Sequence, residues 1–227
     1  MRLSVWYRRN NVTVLVLTFS AMISAFLFSV VNRDYMFYTV DYGRGPVVEL
    51  MSAPYPLELV LPLYLFCEAT RQHRKRRTEH LYAIRNSRFL FPAREVAAGF
   101  VSGLAFSLIL HLLVLPIKGI TLQELTYSAL FLSVLIKGLY LSFVSFVLQI
   151  LVSFRVSAVA AAGIIFILAA IDYILTAYSG MGNKGILFCR AFGELRVVPN
   201  LIVVGIWTLA AAVLMIYTTQ YVREYME

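Results

Sequence analysis

Six apolar runs punctuate the chain, at about 12–31, 55–69, 96–115, 125–152, 156–178 and 197–217. A helix needs about 20 predominantly apolar residues to cross the hydrocarbon core of a bilayer. The pattern predicts an all-α integral membrane protein with a single transmembrane domain over 1–227 and six helices. The runs are unequal. The second holds Pro56, Glu58 and Pro62, so a kinked helix packed inside the bundle is expected, where neighbours can re-satisfy freed carbonyls. The fourth would make a helix of about 42 Å, long enough to tilt, bend or protrude. The fifth opens on Ala158-Val159-Ala160-Ala161-Ala162-Gly163, small residues that let helix backbones approach closely.

The connections are as informative as the runs. Residues 32–54 read as a loop, with Gly43, Gly45, Pro46 and Pro54. Residues 70–95 break the apolar pattern, Pro116 stops the third run, and Arg155 marks a tight turn. Between the fifth and sixth runs, the apolar piece 186–192 is too short to span and suits a re-entrant or interfacial segment. The basic start, with Arg2, Arg8 and Arg9, resembles the front of a signal peptide. No small-residue cleavage site precedes Asn32-Arg33-Asp34, so a retained first helix is expected.

Lysine and arginine set the orientation. With the amino terminus inside, the inner connections and ends carry about twice as many of them as the outer ones. Both termini are therefore expected in the cytoplasm of a multi-pass protein of the cell membrane. Trp6, Tyr7, Tyr55, Tyr178, Tyr217 and Tyr221 fall near the ends of runs, as interfacial aromatic belts do.

Composition agrees with a lipid environment. The chain is 60% hydrophobic and 14% charged, with mean hydropathy +0.78, against about 25% charged residues in soluble domains. The net charge of +8 is concentrated between apolar runs, which points to orientation and anionic lipid rather than nucleic acid. Cys67 and Cys189 fall on opposite predicted sides, so no disulfide is expected.

The basic connection carries a further pattern. Arg74-Lys75-Arg76-Arg77 would suffice to fix topology, but Leu81, Tyr82 and Ile84 would also line one apolar side of a short helix. Such a helix can rest on lipid or dock into a soluble partner. Glu68 precedes it, Thr78-Glu79-His80-Leu81 begins it, Ser87-Arg88 follows, and Arg94 stands at the start of the third run. This arrangement resembles the coupling helix of type 2 ABC exporter permeases. There an acidic residue, a Gly-Thr-Leu-Glu-like start, a Ser-Arg pair and a later basic residue join the second and third of six helices. Arg77 stands here where glycine is common, and Asn86 where proline often is.

The resemblance implies that Glu68, Thr78, Glu79, Leu81, Ile84, Ser87, Arg88 and Arg94 serve docking to a separate ATP-binding subunit. It implies short re-entrant helices on the outer side between the fifth and sixth spans. It also implies a second permease chain, identical or related, because six helices make half of a transporter. ATP–Mg would belong to the partner ATPase, and no cofactor or metal is expected in this chain. The chain has no Gly-x-x-x-x-Gly-Lys-Ser/Thr phosphate loop.

Lys137 falls near the middle of the fourth run, with Glu58 and Asp172 as candidate partners. A charge at that depth costs about 2.5–3.5 kcal/mol on insertion scales. The three residues are read either as the lining of a translocation path or as an intramembrane pair. His111 is expected to serve packing or hydrogen bonding. His73, His80 and His111 make no metal set, and neither Gly-x-Ser-x-Gly nor His-Glu-x-x-His occurs. A transport subunit without catalysis of its own is therefore expected, moving an amphipathic or hydrophobic cargo such as a peptide, lipid or drug. Two rivals remain open: the substrate-capture subunit of an energy-coupling-factor importer, and a non-transport membrane immunity or scaffold protein. The first does not need a basic amphipathic connection between the second and third helices, and the second would need no ATPase.

Overall fold

The computed structural model describes residues 37–41, 46–50, 57, 60–76, 90–118, 127–178, 185–192 and 197–224. In chain order these form β1 (Phe37–Asp41), β2 (Pro46–Leu50), α1 (Leu61–Arg76), α2 (Leu90–Lys118), α3 (Tyr127–Ser153), α4 (Ala158–Tyr178), the short α5 (Phe188–Phe192) and α6 (Val197–Glu224). Among the described residues, four stretches are long and apolar enough to cross a membrane: Pro92–Leu112, Leu130–Ser153, Ala158–Thr176 and Pro199–Gln220. They match the third to sixth apolar runs. The first run lies outside the described residues, and α1 forms the latter part of the second.

The boundaries correct the pattern in several places. The stretch 32–54 contains an antiparallel hairpin, with Phe37 opposite Leu50 and Asp41 opposite Pro46. Phe-Tyr-Thr-Val and Val-Val favour a pleated backbone, and Pro46 stands at a strand start, where its missing N–H is tolerated. Among the described residues the regular structure is therefore helical apart from this ribbon. Helix α1 continues to Arg76 instead of ending near 69, because no glycine or proline lies between Pro62 and Arg76 and Arg, Lys and Gln are good helix formers. Helix α2 begins at Leu90 rather than 96, with Pro92 in its first turn, where no intrahelical N–H is required. It passes Pro116 by two residues, a difference within the usual uncertainty of helix ends. Helix α6 runs on to Glu224.

Helix α3 is the hub, packed against α1, α2, α4, α5 and α6. Its buried face comprises Ile136, Tyr140, Leu141, Val144, Phe146 and Leu148. The crossing with α2 is close because both helices carry glycine there. A Cβ on Gly103 would lie 2.6 Å from both the Gly138 carbonyl oxygen and the Ser142 nitrogen, and a Cβ on Gly138 would lie 3.0 Å from Leu104 Cα. Tyr64 packs edge-on against Phe106, with ring centroids 5.3 Å apart, and so fastens α1 to α2.

The α3–α4 turn is built locally. Arg155 has φ 65°, its N–H donates to Val152 O at 3.1 Å, and that of Val156 donates to Leu151 O at 3.2 Å. This pair of bonds is the Schellman closure, with Arg155 at the left-handed position that usually takes glycine. Ser157 then caps α4, its Oγ accepting the Ala160 N–H at 3.2 Å. Outward-facing Val159, Ile167, Leu168, Ile171 and Leu175 on α4 and Ile202, Ile206, Leu209 and Val213 on α6 are exposed, as lipid-facing residues would be.

Candidate functional site along the central helix

The buried polar residues of α3 are Ser133, Lys137, Ser142, Ser145 and Gln149. Each step of four advances about 40° around a helix, so Ser133, Lys137, Ser145 and Gln149 lie along one ridge, a seam that winds around α3 and is interrupted at Leu141. The packing fixes the helix directions. Ser107 and His111 of α2 meet Val134 and Ser133, whereas Gly99 meets Phe146, so α2 and α3 are antiparallel. Tyr64 reaches Ser102 and Arg71 reaches Glu95, so α1 and α2 are also antiparallel. Helices α1 and α3 therefore run parallel, and both end where α2 begins.

Toward that end lies an ionic cluster. Glu68, 1% exposed, accepts hydrogen bonds at Oε2 from Arg71 Nε at 2.9 Å and from Ser145 Oγ at 3.0 Å. Arg71 Nη2 lies 2.7 Å from the same oxygen and donates to Ser145 Oγ at 3.1 Å. Glu95 flanks the guanidinium at 3.7 Å. Ser145 thus donates to the carboxylate and accepts from the cation, so the three side chains close a ring between α1 and α3, with α2 beside it. One turn further, Gln72 and Gln149 are buried, and their side-chain NH2 groups have no hydrogen-bond acceptor among the described residues.

In the other half of α3, Lys137 (4% exposed) donates to Ser133 Oγ at 2.7 Å. His111 Nδ1 lies 2.7 Å from the Ser107 carbonyl. A carbonyl only accepts, so Nδ1 carries the hydrogen. His111 Nε2 is 3.2 Å from Ser133 Oγ, and in the neutral ring it accepts the hydroxyl proton. Ser133 accepts from Lys137 and donates to His111, and all its hydrogen-bonding directions agree. Ser107 Oγ in turn donates to Val134 O at 2.9 Å.

Asp172 is buried, and its carboxylate receives the N–H groups of Ile186, Leu187, Phe188 and Cys189 at 2.7, 2.9, 2.7 and 3.3 Å. It serves as an acceptor for the segment leading into α5. Glu58 lies outside the described residues. Of the docking residues, Thr78, Glu79, Leu81, Ile84, Ser87 and Arg88 also lie outside them. Arg94 is exposed near the start of α2, whereas Glu68 is turned into the bundle and committed to Arg71 and Ser145. Sequence reasoning missed Arg71, Ser145, Glu95 and the Ser107–His111–Ser133 chain. The four-residue spacing of Ser133, Lys137, Ser145 and Gln149 was the available signal. Among the described residues no group of His, Cys, Asp and Glu could hold a metal ion.

The chain matches no protein-family model, no curated protein and no solved structure.

Proposed function

We propose that the chain is the permease subunit of an ATP-driven exporter of the type 2 ABC class, lacking its own motor and working beside a second permease chain. The carrying observation is the Glu68–Arg71–Ser145 ring. It binds α1 to the central helix at the end where α1 stops and α2 starts. Those two helices flank the basic stretch 77–89, which carries the coupling-helix resemblance. Under this reading an ATPase docks on Leu81 and Ile84 from the cytoplasm. ATP–Mg closes two ATPase subunits, and the displacement passes through α1 and α2 into α3. Ion pairs held out of water resist rearrangement, so the bundle moves as a near-rigid body. Under the same reading, Lys137 and Ser133 of α3 with His111 of α2 would supply polar contacts along an otherwise apolar path, which suits an amphipathic or hydrophobic cargo.

The test is co-purification with a phosphate-loop ATPase encoded beside this chain. Reconstituted together, the two are expected to hydrolyse ATP faster than the ATPase alone, and Leu81→Arg or Ile84→Glu is expected to remove the stimulation. If the full chain binds no such ATPase, or both variants stimulate as the parent does, the permease reading is wrong.

A further inference from the structure

The segment 185–192 is attached to the bundle in an unusual way. Helix α5 has five residues, far below the length at which a helix stands alone. Yet it reaches Tyr140, the midpoint of the central helix α3 (Tyr127–Ser153). Phe188 and Phe192 pack on that ring edge-on, with centroids 5.8 and 5.6 Å away. The segment therefore covers the middle of α3 from the end of the bundle at which α4 finishes and α6 begins.

Its polar attachment is concentrated at Asp172, and the Cys189 thiol adds a long contact to the Asp172 carbonyl at 3.8 Å and a hydrogen bond with Thr176. Four successive N–H groups, of residues 186–189, converge on the Asp172 carboxylate. Among the described residues, no backbone–backbone hydrogen bond ties 185–192 to α4 or α6, and the Ala191-to-Leu187 bond is internal. Arg190 Nε closes the segment on itself through the Gly185 carbonyl at 2.6 Å, and its Nη1 meets Asn200 Oδ1 of α6 only at 3.5 Å. Gly185 is needed at the entry, because a Cβ there would strike Cys189 Cβ and come within 3.0 Å of Thr176 Oγ1. An element held by many distributed bonds yields gradually. One held by a single charge-assisted acceptor and a patch of apolar packing releases as a unit.

We propose that 185–192 is a lid over the midpoint of α3 and that Asp172 is its latch. When the carboxylate lets go, four N–H donors lose their acceptor together, the two phenyl rings leave Tyr140, and the middle of the central helix becomes reachable from that end. Lys137 lies one helical turn from Tyr140, so the lid also controls approach to the polar half of the seam. The inference does not depend on an ATPase partner. In an exporter the same lid would be the gate on the side opposite the motor.

Cys189 is a built-in reporter, since it is half-buried within the lid. The experiment uses the full chain in lipid vesicles with Cys67→Ala, so that Cys189 is the single thiol. A membrane-impermeant maleimide is added on the lid side, with amide hydrogen exchange measured in parallel. Asp172→Asn keeps the shape but turns an NH2 toward N–H donors. It is expected to strip exchange protection from 185–192 while α3 and α6 keep theirs, and to speed Cys189 labelling at least about tenfold after each rate is divided by the thiolate fraction from that variant's pH–rate profile, because losing the carboxylate also lowers the thiol pKa. Unaltered labelling would show that Asp172 holds nothing shut. Loss of protection spreading through α3 would show a staple of the whole core and would equally overturn the lid. In the unmutated chain, 185–192 should exchange as one unit faster than α3, and protection equal to that of α3 counts against the proposal. Failure of these tests leaves the ATPase-docking result untouched, and the converse holds.

Discussion

Glu68 and Arg71 show how strongly a residue's neighbours govern its chemistry. Both are charged, yet they are 1% and 13% exposed, and Ser145 completes their bonding. Removing one partner leaves an uncompensated buried charge, which costs about 3 kcal/mol. Glu68→Gln is therefore expected to lower the midpoint of unfolding in detergent clearly. The double change Glu68→Gln with Arg71→Gln should cost less than the two single changes added together. Strict additivity in that cycle would mean that the pair is not coupled. Cys189 offers a test by pH. Burial pushes its thiol up to about 11, with the Thr176 hydrogen bond pulling the other way and the Asp172 carboxylate adding to the rise. A raised value means less thiolate at every pH below it. At pH 8 only ~0.1% is thiolate, so alkylation should be slow and climb roughly tenfold per pH unit up to about 11. A rate that levels off near pH 9 would contradict this environment.

Among the elements, the α2–α3 crossing has the least room to spare. A Cβ on Gly103 meets backbone atoms of Gly138 and Ser142, which cannot swing aside as the end of a side chain can. Gly103→Ala is expected to push the helices apart at a cost of about 1–3 kcal/mol. Gly163 and Gly205 have nothing within 4 Å of such a Cβ, so Gly163→Ala and Gly205→Ala should be neutral or stabilising by up to about 1 kcal/mol. Thermal or denaturant unfolding of the three variants side by side checks both directions. Equal losses in all three would show that the glycines matter only through helix propensity. The hairpin β1–β2 and the extension of α1 through Arg76 lay in a stretch read from the sequence as loop. Glycine and proline counts across 32–54, and a run of cations after Ala69, drew attention away from local preferences that favour strand and helix there.

Across the whole molecule, the apolar surface is distributed as lipid solvation requires. Helix α3 is enclosed, while α4 and α6 turn apolar faces outward. Trp207 lies on the outward face of α6 at 50% exposure and is one of two tryptophans, the other being Trp6. In a Trp6→Phe chain placed in vesicles, brominated or spin-labelled acyl chains should quench most of the Trp207 fluorescence, and aqueous iodide should quench little. Strong iodide quenching would place that face of α6 in water instead.

The apolar runs by themselves anticipated a mostly helical chain, and four of the six coincide with helices that, among the described residues, are long and apolar enough to cross a membrane. The reason is physical. In hydrocarbon every backbone polar group must be satisfied within its own segment, so length and hydropathy along one dimension decide where a span lies. They also placed a charge, Lys137, at the middle of the fourth run and an acid, Asp172, in the fifth. Tertiary structure alone decided what those groups do. Lys137 meets Ser133 within its own helix, but Ser133 reaches His111 on α2, Asp172 collects the amides of 186–189, and the local Glu68–Arg71 pair of α1 closes on Ser145 of α3. Which partner a buried polar group finds depends on how each helix is rotated about its axis and how closely it approaches its neighbour. Glycines such as Gly103 and Gly138 set that approach, and a one-dimensional pattern carries no record of it.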